Sequence, residues 1–376
     1  MKKIAPFKVI TLLVFIATAS SRISAQEADT TFNVVIKEDK EKTATGGFGA
    51  DLAKKSSFVN FNGYITNEFF ALQGKKNTFD NHYFNIFISS QISDRIFVEG
   101  QLEYEHGGDE VDIRYAYADY KVSDALVFRT GKFLVPAGLF NEYQYPEYIA
   151  KVITRAFVNR EISPSAWGEV GIQVRGRIKN LSSTLEPFYS VYMVNGLHGA
   201  SGASIRNMRD NSQDTKNNDK AIGGNIGADI GNYLTATANY YTGTYSDDGE
   251  LNLSIYGLSL QYVKEKLTIW GEYQAANQDA YNDAADLSQG ITSLKKNGWY
   301  ALVGYKVYKG LEPVLRYDVI SLDGVGVATS DRSRMTVGLN YHFSSTCNLK
   351  VNYDITKNDG TDIDDNLFGV QFALGF

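Results

Sequence analysis

From about residue 58 to the last residue, apolar and polar side chains alternate in a long series of short segments. In the clearest, Met335, Val337, Leu339, Tyr341 and Phe343 alternate with Thr336, Gly338, Asn340 and His342. The next sets Leu349, Val351, Tyr353 and Ile355 against Lys350, Asn352, Asp354 and Thr356, and the last sets Phe368, Val370, Phe372, Leu374 and Phe376 against Gly369, Gln371, Ala373 and Gly375. Successive side chains of a β-strand point to opposite faces, so a period of two over eight or more residues gives one apolar and one polar face. Counting back from these, further segments lie near 311–321, 298–308, 267–276, 252–263, 233–243, 221–230, 184–195, 169–179, 126–133, 110–121, 96–106, 81–92 and 58–71. That makes about sixteen, each close to the roughly 9–11 residues that a tilted strand needs to cross a bilayer.

The connections sort by length. Short ones fall at Ser93–Arg95, Ser123–Asp124, Asn180–Ser183, Gly231–Asn232, Lys264–Lys266, Tyr308–Gly310 and Ser344–Thr346. Longer ones are expected between them, near 72–80, 134–168, 196–220, 244–250, 277–297, 322–331 and 357–365, and only His106–Asp109 is short where a long one is due. Short turns at one end and long loops at the other are the habit of outer-membrane barrels. The expected fold is therefore all-β: a transmembrane antiparallel β-barrel of about sixteen strands over residues 58–376. Closure is required because a bilayer offers no water to unpaired backbone groups. A ring of that size encloses an aqueous lumen, whereas eight strands would be filled by their own side chains.

The first residues agree with export. Lys2, Lys3 and Lys8 precede the apolar run Val9–Ala19, which ends near Ser24-Ala25-Gln26. This reads as a signal peptide, residues 1–25, too short to span as a helix. Residues 26–57 read as a polar periplasmic N-terminal extension. Removing residues 1–25 takes Lys2, Lys3, Lys8 and Arg22 and no acid from 37 basic and 43 acidic residues, leaving about −10. Such a balance argues against a nucleic-acid partner, which wants a basic face. A single cysteine, Cys347, excludes an intrachain disulfide and a thiolate metal cluster. The Tyr, Phe and Gly abundance (25, 21 and 34 residues) suits a large β-protein.

One stretch breaks the beat. Residues 134–168 hold Pro136, Pro146 and Pro164, half of the chain's six prolines, with Leu134, Val135, Leu139, Phe140, Ile149, Val152, Ile153, Phe157 and Val158. A loop that apolar needs something to pack on. The economical reading is that this third long loop folds back into the lumen and narrows it, with Arg155, Arg160, Glu142, Glu147 and Glu161 at its edge.

Parity assigns the wall. Val170, Ile172 and Val174 face lipid, so Gln173, Arg175 and Arg177 face water; Leu126 and Phe128 face out, which puts Arg129 inside. The same parity turns Arg114, Lys306, Arg316, Arg334 and Lys350 inward, with Glu99, Glu103, Glu105, Asp112, Glu272, Glu312, Asp318 and Asp354. A lipid-facing Arg costs about 2–4 kcal/mol at the midplane, which supports these assignments. The candidate pore-lining and constriction residues are Arg114, Arg129, Lys132, Arg155, Arg160, Arg175, Arg177, Glu99, Glu103, Arg316 and Arg334. Guanidinium groups in a narrow aqueous passage lower the barrier to anions, and the acids among them temper that preference.

Arg129-Thr130-Gly131-Lys132-Phe133, then Pro136 and Gly138-Leu139-Phe140, with Arg175-Gly176-Arg177 beyond the loop, resemble the phosphate-selective porins of the O and P type. The resemblance implies a homotrimeric, sixteen-stranded outer-membrane porin whose third loop constricts the channel. The terminal Phe376 resembles the signature that the barrel-assembly machinery recognises. The expected partners are thus the lipid bilayer of an outer membrane and small hydrophilic solutes or anions.

No enzyme chemistry emerges. No serine has a nucleophile motif around it. His82, His106, His198 and His342 show no metal-ligand spacing, and the acid-rich loops 210–219 and 359–365 lack the glycine and terminal glutamate of a calcium loop. Neither a metal nor a cofactor is expected. A porin passing small hydrophilic solutes, with an anion preference, is the leading reading; a barrel serving as surface adhesin or receptor and a soluble secreted β-protein are the alternatives.

Overall fold

The computed structural model describes residues 59–376 apart from 147–148, 180, 183, 210–218, 326 and 360–364. The expected signal peptide and extension lie outside the described residues. Sixteen strands form one closed antiparallel ring in sequence order. They are β1 (Val59–Leu72), β2 (Thr78–Ser93), β3 (Ile96–Glu105), β4 (Glu110–Ser123), β5 (Leu126–Leu134), β6 (Gly168–Arg177), β7 (Leu185–Val194) and β8 (Ala221–Ile230), followed by β9 (Leu234–Thr244), β10 (Asn252–Lys264), β11 (Leu267–Tyr281), β12 (Ile291–Tyr305), β13 (Leu311–Gly324), β14 (Val327–His342), β15 (Cys347–Asn358) and β16 (Leu367–Gly375). β1 closes on β16 with Tyr64 opposite Gly375 and Leu72 opposite Leu367. No described helix is long and apolar enough to cross a membrane, so any crossing is made by strands.

The alternation does what the sequence predicts. On β12, Trp299, Ala301, Val303 and Tyr305 are exposed while Lys296, Tyr300 and Leu302 are buried. Ile172, Val191, Ile226, Leu258 and Val337 are half or more exposed, forming an apolar outer surface that only lipid would cover favourably. Three expectations need correction. The 277–297 connection is mostly strand: β11 continues to Tyr281 and β12 begins at Ile291. Likewise β13 and β14 pair as far as Gly324 and Val327, where a loop over 322–331 was expected. Past the bilayer both faces of a strand meet water or protein, so the apolar beat fades although the ladder continues. Finally, Lys306 follows the end of β12 and is exposed in the turn, since inward parity holds only within a strand.

Gly131 and Gly138, both within Arg129–Phe140, have left-handed backbone. Gly131, with φ 121°, sits in β5 where a Cβ would collide with the carbonyl of Ala116 on β4. Gly138, with φ 70°, sits where a Cβ would collide with the carboxylate of Glu272 on β11. Non-glycine residues rarely adopt this region. Gly131→Ala is therefore expected to disturb the β4–β5 ladder and lower the yield of folded barrel, read as the fraction showing heat-modifiable gel mobility. A yield equal to the parent's would refute the requirement for glycine.

Candidate permeation pathway

The segment between β5 and β6 packs against inward-facing side chains of the ring. Leu139, Val152, Ala156 and Val158 form one cluster with Trp270, Tyr300, Leu302 and Val314 of β11–β13. Phe133, Val135, Ala137, Phe157, Ile162 and Trp167 join a larger one with Tyr192, Tyr241, Leu253, Ile255 and Ile320. At these places the inner wall is apolar rather than polar, because protein covers it. Hydrogen bonds complete the seam. The backbone N–H of Leu139 donates to Glu272 (3.3 Å), that of Phe157 to Asp318 (3.0 Å) and that of Ile153 to Asn352 (2.7 Å). Thr154 donates to Asp354 (2.7 Å) and Lys151 reaches Glu312 (3.0 Å). Across the ring, the Tyr145 hydroxyl donates to Glu103 of β3 (2.8 Å) and Arg155 donates to the Tyr83 hydroxyl of β2 (2.6 Å).

The candidate residues divide into two sets. Glu103, Arg114, Arg316 and Arg334 are tied into this seam. Arg114 binds Glu103 through Nε (2.8 Å) and Nη2 (2.5 Å) and donates to the carbonyl of Ala166 (3.3 Å). Arg316 donates to the Thr154 carbonyl and hydroxyl and to Thr336. Arg334 holds both oxygens of Asp318 (2.9 and 3.2 Å) and the Arg155 carbonyl (2.6 Å). Their charges are consumed by anchoring.

The other set borders open space. A cavity of about 550 Å³ is lined by Glu99, Tyr115, Tyr117, Arg129, Glu142 and Arg175. There Arg129 is held in a fork by Asp119 (2.7 and 2.8 Å), with its guanidinium 3.6 Å from the Tyr117 ring centre. Glu99 accepts from the hydroxyls of Tyr115 (2.7 Å) and Tyr117 (3.1 Å). The Arg175 guanidinium has no hydrogen bond or ion pair with a described residue, so its positive charge faces the cavity. Glu142, in the covering segment, bonds Asn225 (2.8 Å). Burial raises its carboxyl above the usual range, against the opposing pull of Arg175. An adjoining cavity of about 250 Å³ adds Arg177, which pairs with Asp229 and Glu186 and lies over the Phe188 ring. Lys132 is half-buried, 3.5 Å from Asp112.

A third cavity, of about 780 Å³, lies toward the long-loop end and gathers Arg114, Arg155, Arg160, Arg206, Arg209 and Arg334 among its walls. Arg160 is exposed, 3.8 Å from Glu161. Glu147, also expected at the edge, lies outside the described residues. The expectations did not include Arg206 and Arg209, which belong to the next long loop, between β7 and β8, where no periodicity marks an inward face. Their three-residue spacing on the helical turn Ile205–Met208 was the one available signal. Burial and the neighbouring Arg209, Arg155 and Arg160 push the Arg206 guanidinium down to about 10, a sign of crowded positive charge. Glu68, Glu105, Glu110, Asp354 and Asp365 line the same cavity, so its walls carry both signs of charge.

Comparisons with known proteins agree with the ring. The chain is similar in structure to an anion-selective porin from Comamonas acidovorans (TM-score 0.61, 14% identity, covering 85% of this chain and 99% of that one). It is also similar to OmpT of Vibrio cholerae in its trimer form (TM-score 0.58, 14% identity, 85% and 99%) and to the outer-membrane channel DcaP of Acinetobacter baumannii (TM-score 0.59, 15% identity, 85% and 97%). In sequence, an uncharacterized protein of Aquifex aeolicus (strain VF5) is 26% identical over 249 residues, or 60% of this chain. Those residues are 55% of that protein, so the chain spans about half the relative's length. The family model for phosphate-selective porin O and P matches residues 97–371. With that match extending over most of a closed sixteen-stranded barrel, the chain belongs to the phosphate-selective porin O and P family.

Proposed function

We propose that this porin passes small hydrophilic solutes by passive diffusion with a preference for anions, through a lumen that residues 135–167 narrow. The observation that carries the preference is the placement of basic side chains on both sides of the narrowing. Arg155, Arg160, Arg206 and Arg209 line the cavity at the long-loop end. Arg175 faces the cavity beyond, with Arg177 in the adjoining space. The acids nearby are largely engaged: Asp119 by Arg129, Glu103 by Arg114, Asp318 by Arg316 and Arg334. A solute anion thus finds guanidinium donors, of which Arg175 is the least committed, in a setting where each is worth more than in bulk water. No catalytic step is needed; the gradient drives the flow. Assembly as a homotrimer, export by residues 1–25 and insertion by the barrel-assembly machinery complete the proposal.

Planar-bilayer recording tests it. Folded protein should give discrete conductance steps and a reversal potential displaced toward the anion in a salt gradient; no steps, or a cation displacement, would overturn the reading. The raised carboxyl of Glu142 adds a pH dependence with a definite sign. Below its pKa it is neutral and Arg175 acts alone; as pH rises through it, a negative charge appears beside that arginine. Anion preference is therefore expected to grow on acidification from pH 8 toward the ordinary carboxylate range, and Glu142→Gln should hold the acid-side value throughout. A Glu142→Gln channel with the parent's pH profile would refute this role.

A further inference from the structure

One arc of the short-turn end carries a concentrated positive charge. In and beside the three neighbouring turns at residues 231–233, 264–266 and 306–310, Lys264, Lys266, Lys306 and Lys309 stand against a single acid, Glu265, and all five are exposed. At the other end of strands β9–β12 the sign reverses. Residues 245–251 and 282–290 hold Asp247, Asp248, Glu250, Asp283 and Asp286 and no lysine or arginine. Backbone bonds set the three turns side by side: the Val263 N–H donates to the Tyr233 carbonyl (2.7 Å) and the Lys306 N–H to the Lys266 carbonyl (2.9 Å). Other short turns are balanced or neutral. Arg95 follows Asp94, Lys121 and Lys179 share Asp124 (2.6 and 3.1 Å), and residues 344–346 carry no charge. The basic arc is thus a local feature in a chain with more acids than bases.

These lysines border the apolar outer wall. On β10, Leu258, Leu260, Tyr262 and Lys264 follow one another at two-residue spacing, and Leu258 and Leu260 are exposed, so Lys264 leaves from the outer face. Its Nζ lies 5.2 Å from the ring centre of Tyr233, which packs edge-on against Tyr262 (5.8 Å). Lys309 Nζ lies 5.0 Å from the ring centre of Tyr308, and Tyr233, Tyr305 and Tyr308 are exposed. Tyrosine with lysine at the edge of an apolar surface settles at headgroup depth, ring in the interface and ammonium among the phosphates. A ring beneath an ammonium aims it without neutralising it. None of the four lysines forms an ion pair with a described residue. Lys264 on β10 and Lys309 at the entry to β13 stand three strand spacings apart, about 14 Å, with Lys266 and Lys306 between them.

We infer that Lys264, Lys266, Lys306 and Lys309, with Tyr233 and Tyr308, form a binding site for the phosphate headgroup of an anionic glycerophospholipid. Its acyl chains lie along the exposed Leu260, Ile269, Val303 and Leu315 of β10–β13. Short turns of such barrels face the periplasm, so the lipid belongs to the inner leaflet. The lysines meet the phosphate as charge-assisted donors, and a zwitterionic headgroup gains less because its own ammonium opposes them. A lipid is favoured over a soluble anionic polymer because tyrosines and an apolar wall adjoin the charge.

Native mass spectrometry of the full mature chain, folded in a non-ionic detergent and titrated with phosphatidylglycerol, tests the site. A saturable adduct is expected, formed at lower concentration than the adduct with phosphatidylcholine. A lysine near an anionic headgroup contributes roughly fivefold to association, so Lys264→Gln with Lys309→Gln should weaken the adduct about 25-fold. Lys121→Gln with Lys179→Gln removes as much charge from the same end, where both ammonium groups are spent on Asp124, and should leave the affinity unchanged. Heat-modifiable mobility verifies that each variant is folded. Equal binding of the two lipids, or parent affinity in the Lys264 and Lys309 variant, would overturn the inference. So would loss of retention on sedimented peptidoglycan in that variant with no lipid preference in the parent, which would give these lysines to the wall polymer.

Discussion

Asp318→Ala is expected to release the covering segment from the wall and widen the channel. The Asp318 carboxylate is fully buried and accepts from Arg334 (2.9 and 3.2 Å), from Arg316 (3.2 Å) and from the backbone N–H of Phe157 (3.0 Å). Its loss leaves the buried Arg316 guanidinium short of its counter-ion, removes one of the two acids beside Arg334, which also borders the long-loop cavity, and leaves an amide without an acceptor. Breaking a buried pair from one side costs about 3–5 kcal/mol, mostly for the charge left behind. Water can relieve that cost only if residues near 154–158 lift away. Three readouts should move together: single-channel conductance rises, trypsin cuts faster after Arg155 and Arg160, and tryptophan emission shifts red. The emission is informative because Trp167 of the segment and Trp270 of the wall beneath it are both buried, while Trp299 is exposed on the outer face. Asp318→Asn retains an acceptor for Phe157 and should give a smaller change. Parent-like conductance and proteolysis in Asp318→Ala would show that this carboxylate is not the anchor.

Arg206→Glu combined with Arg209→Glu is expected to abolish anion preference or invert it. The pair changes the charge of the long-loop cavity by four units, in a space it shares with Arg155 and Arg160. Unit charges at contact distance interact by about 1 kcal/mol in water and by about 4 kcal/mol near a protein surface, and 1.4 kcal/mol is a tenfold change in an equilibrium. The anion-to-cation permeability ratio should therefore fall by about tenfold or more at 0.1 M salt. The effect should shrink toward 1 M, where the screening length drops to about 3 Å. Burial, the first cause of the lowered Arg206 pKa, penalises a carboxylate there too, and Arg209 gives up its bond to the Ser165 carbonyl, so heat-modifiable mobility is used to select folded variant for the recording. An unchanged reversal potential would remove these arginines from the permeation argument.

The ring was legible because lipid on one side and water on the other leave a physical trace on every second residue. All sixteen strands answer to a segment expected from that trace, including 221–230, where Gly, Ala and Ile give little contrast. Where the two environments cease to differ, the trace ends. The outer halves of β12 and β14 were read as loop for that reason. The opposite failure is instructive too. Trp299-Tyr300-Ala301-Leu302-Val303 is apolar at both parities, and the structure shows why: Tyr300 and Leu302 sit beneath Leu139 and Val158. That unbroken run was the wall's own record of being covered. The apolar content of 134–168 announced a packed segment, yet its partners were beyond reach, because Tyr145 with Glu103 or Phe157 with Asp318 obey no local period. Parity gave Arg114, Arg316 and Arg334 the right face and could not separate side chains that bond a covering segment from those, like Arg175, that face open space.

The anchoring bonds also dictate an order of events. Phe157 to Asp318, Ile153 to Asn352 and Thr154 to Asp354 join positions 161, 199 and 200 residues apart. Their acceptors stand on β13 and β15, so this half of the seam has nothing to grip until the far side of the cylinder exists, whereas the bonds to β2–β4, such as Tyr145 to Glu103, need no such delay. Distant contacts also carry the largest entropic cost of being formed early. The contacts with β13 and β15 are accordingly expected to be the last of the segment's bonds to set during biogenesis. If residues 135–167 narrow the lumen as proposed, a molecule halted just before that step would conduct through a wider and less selective opening than the finished barrel.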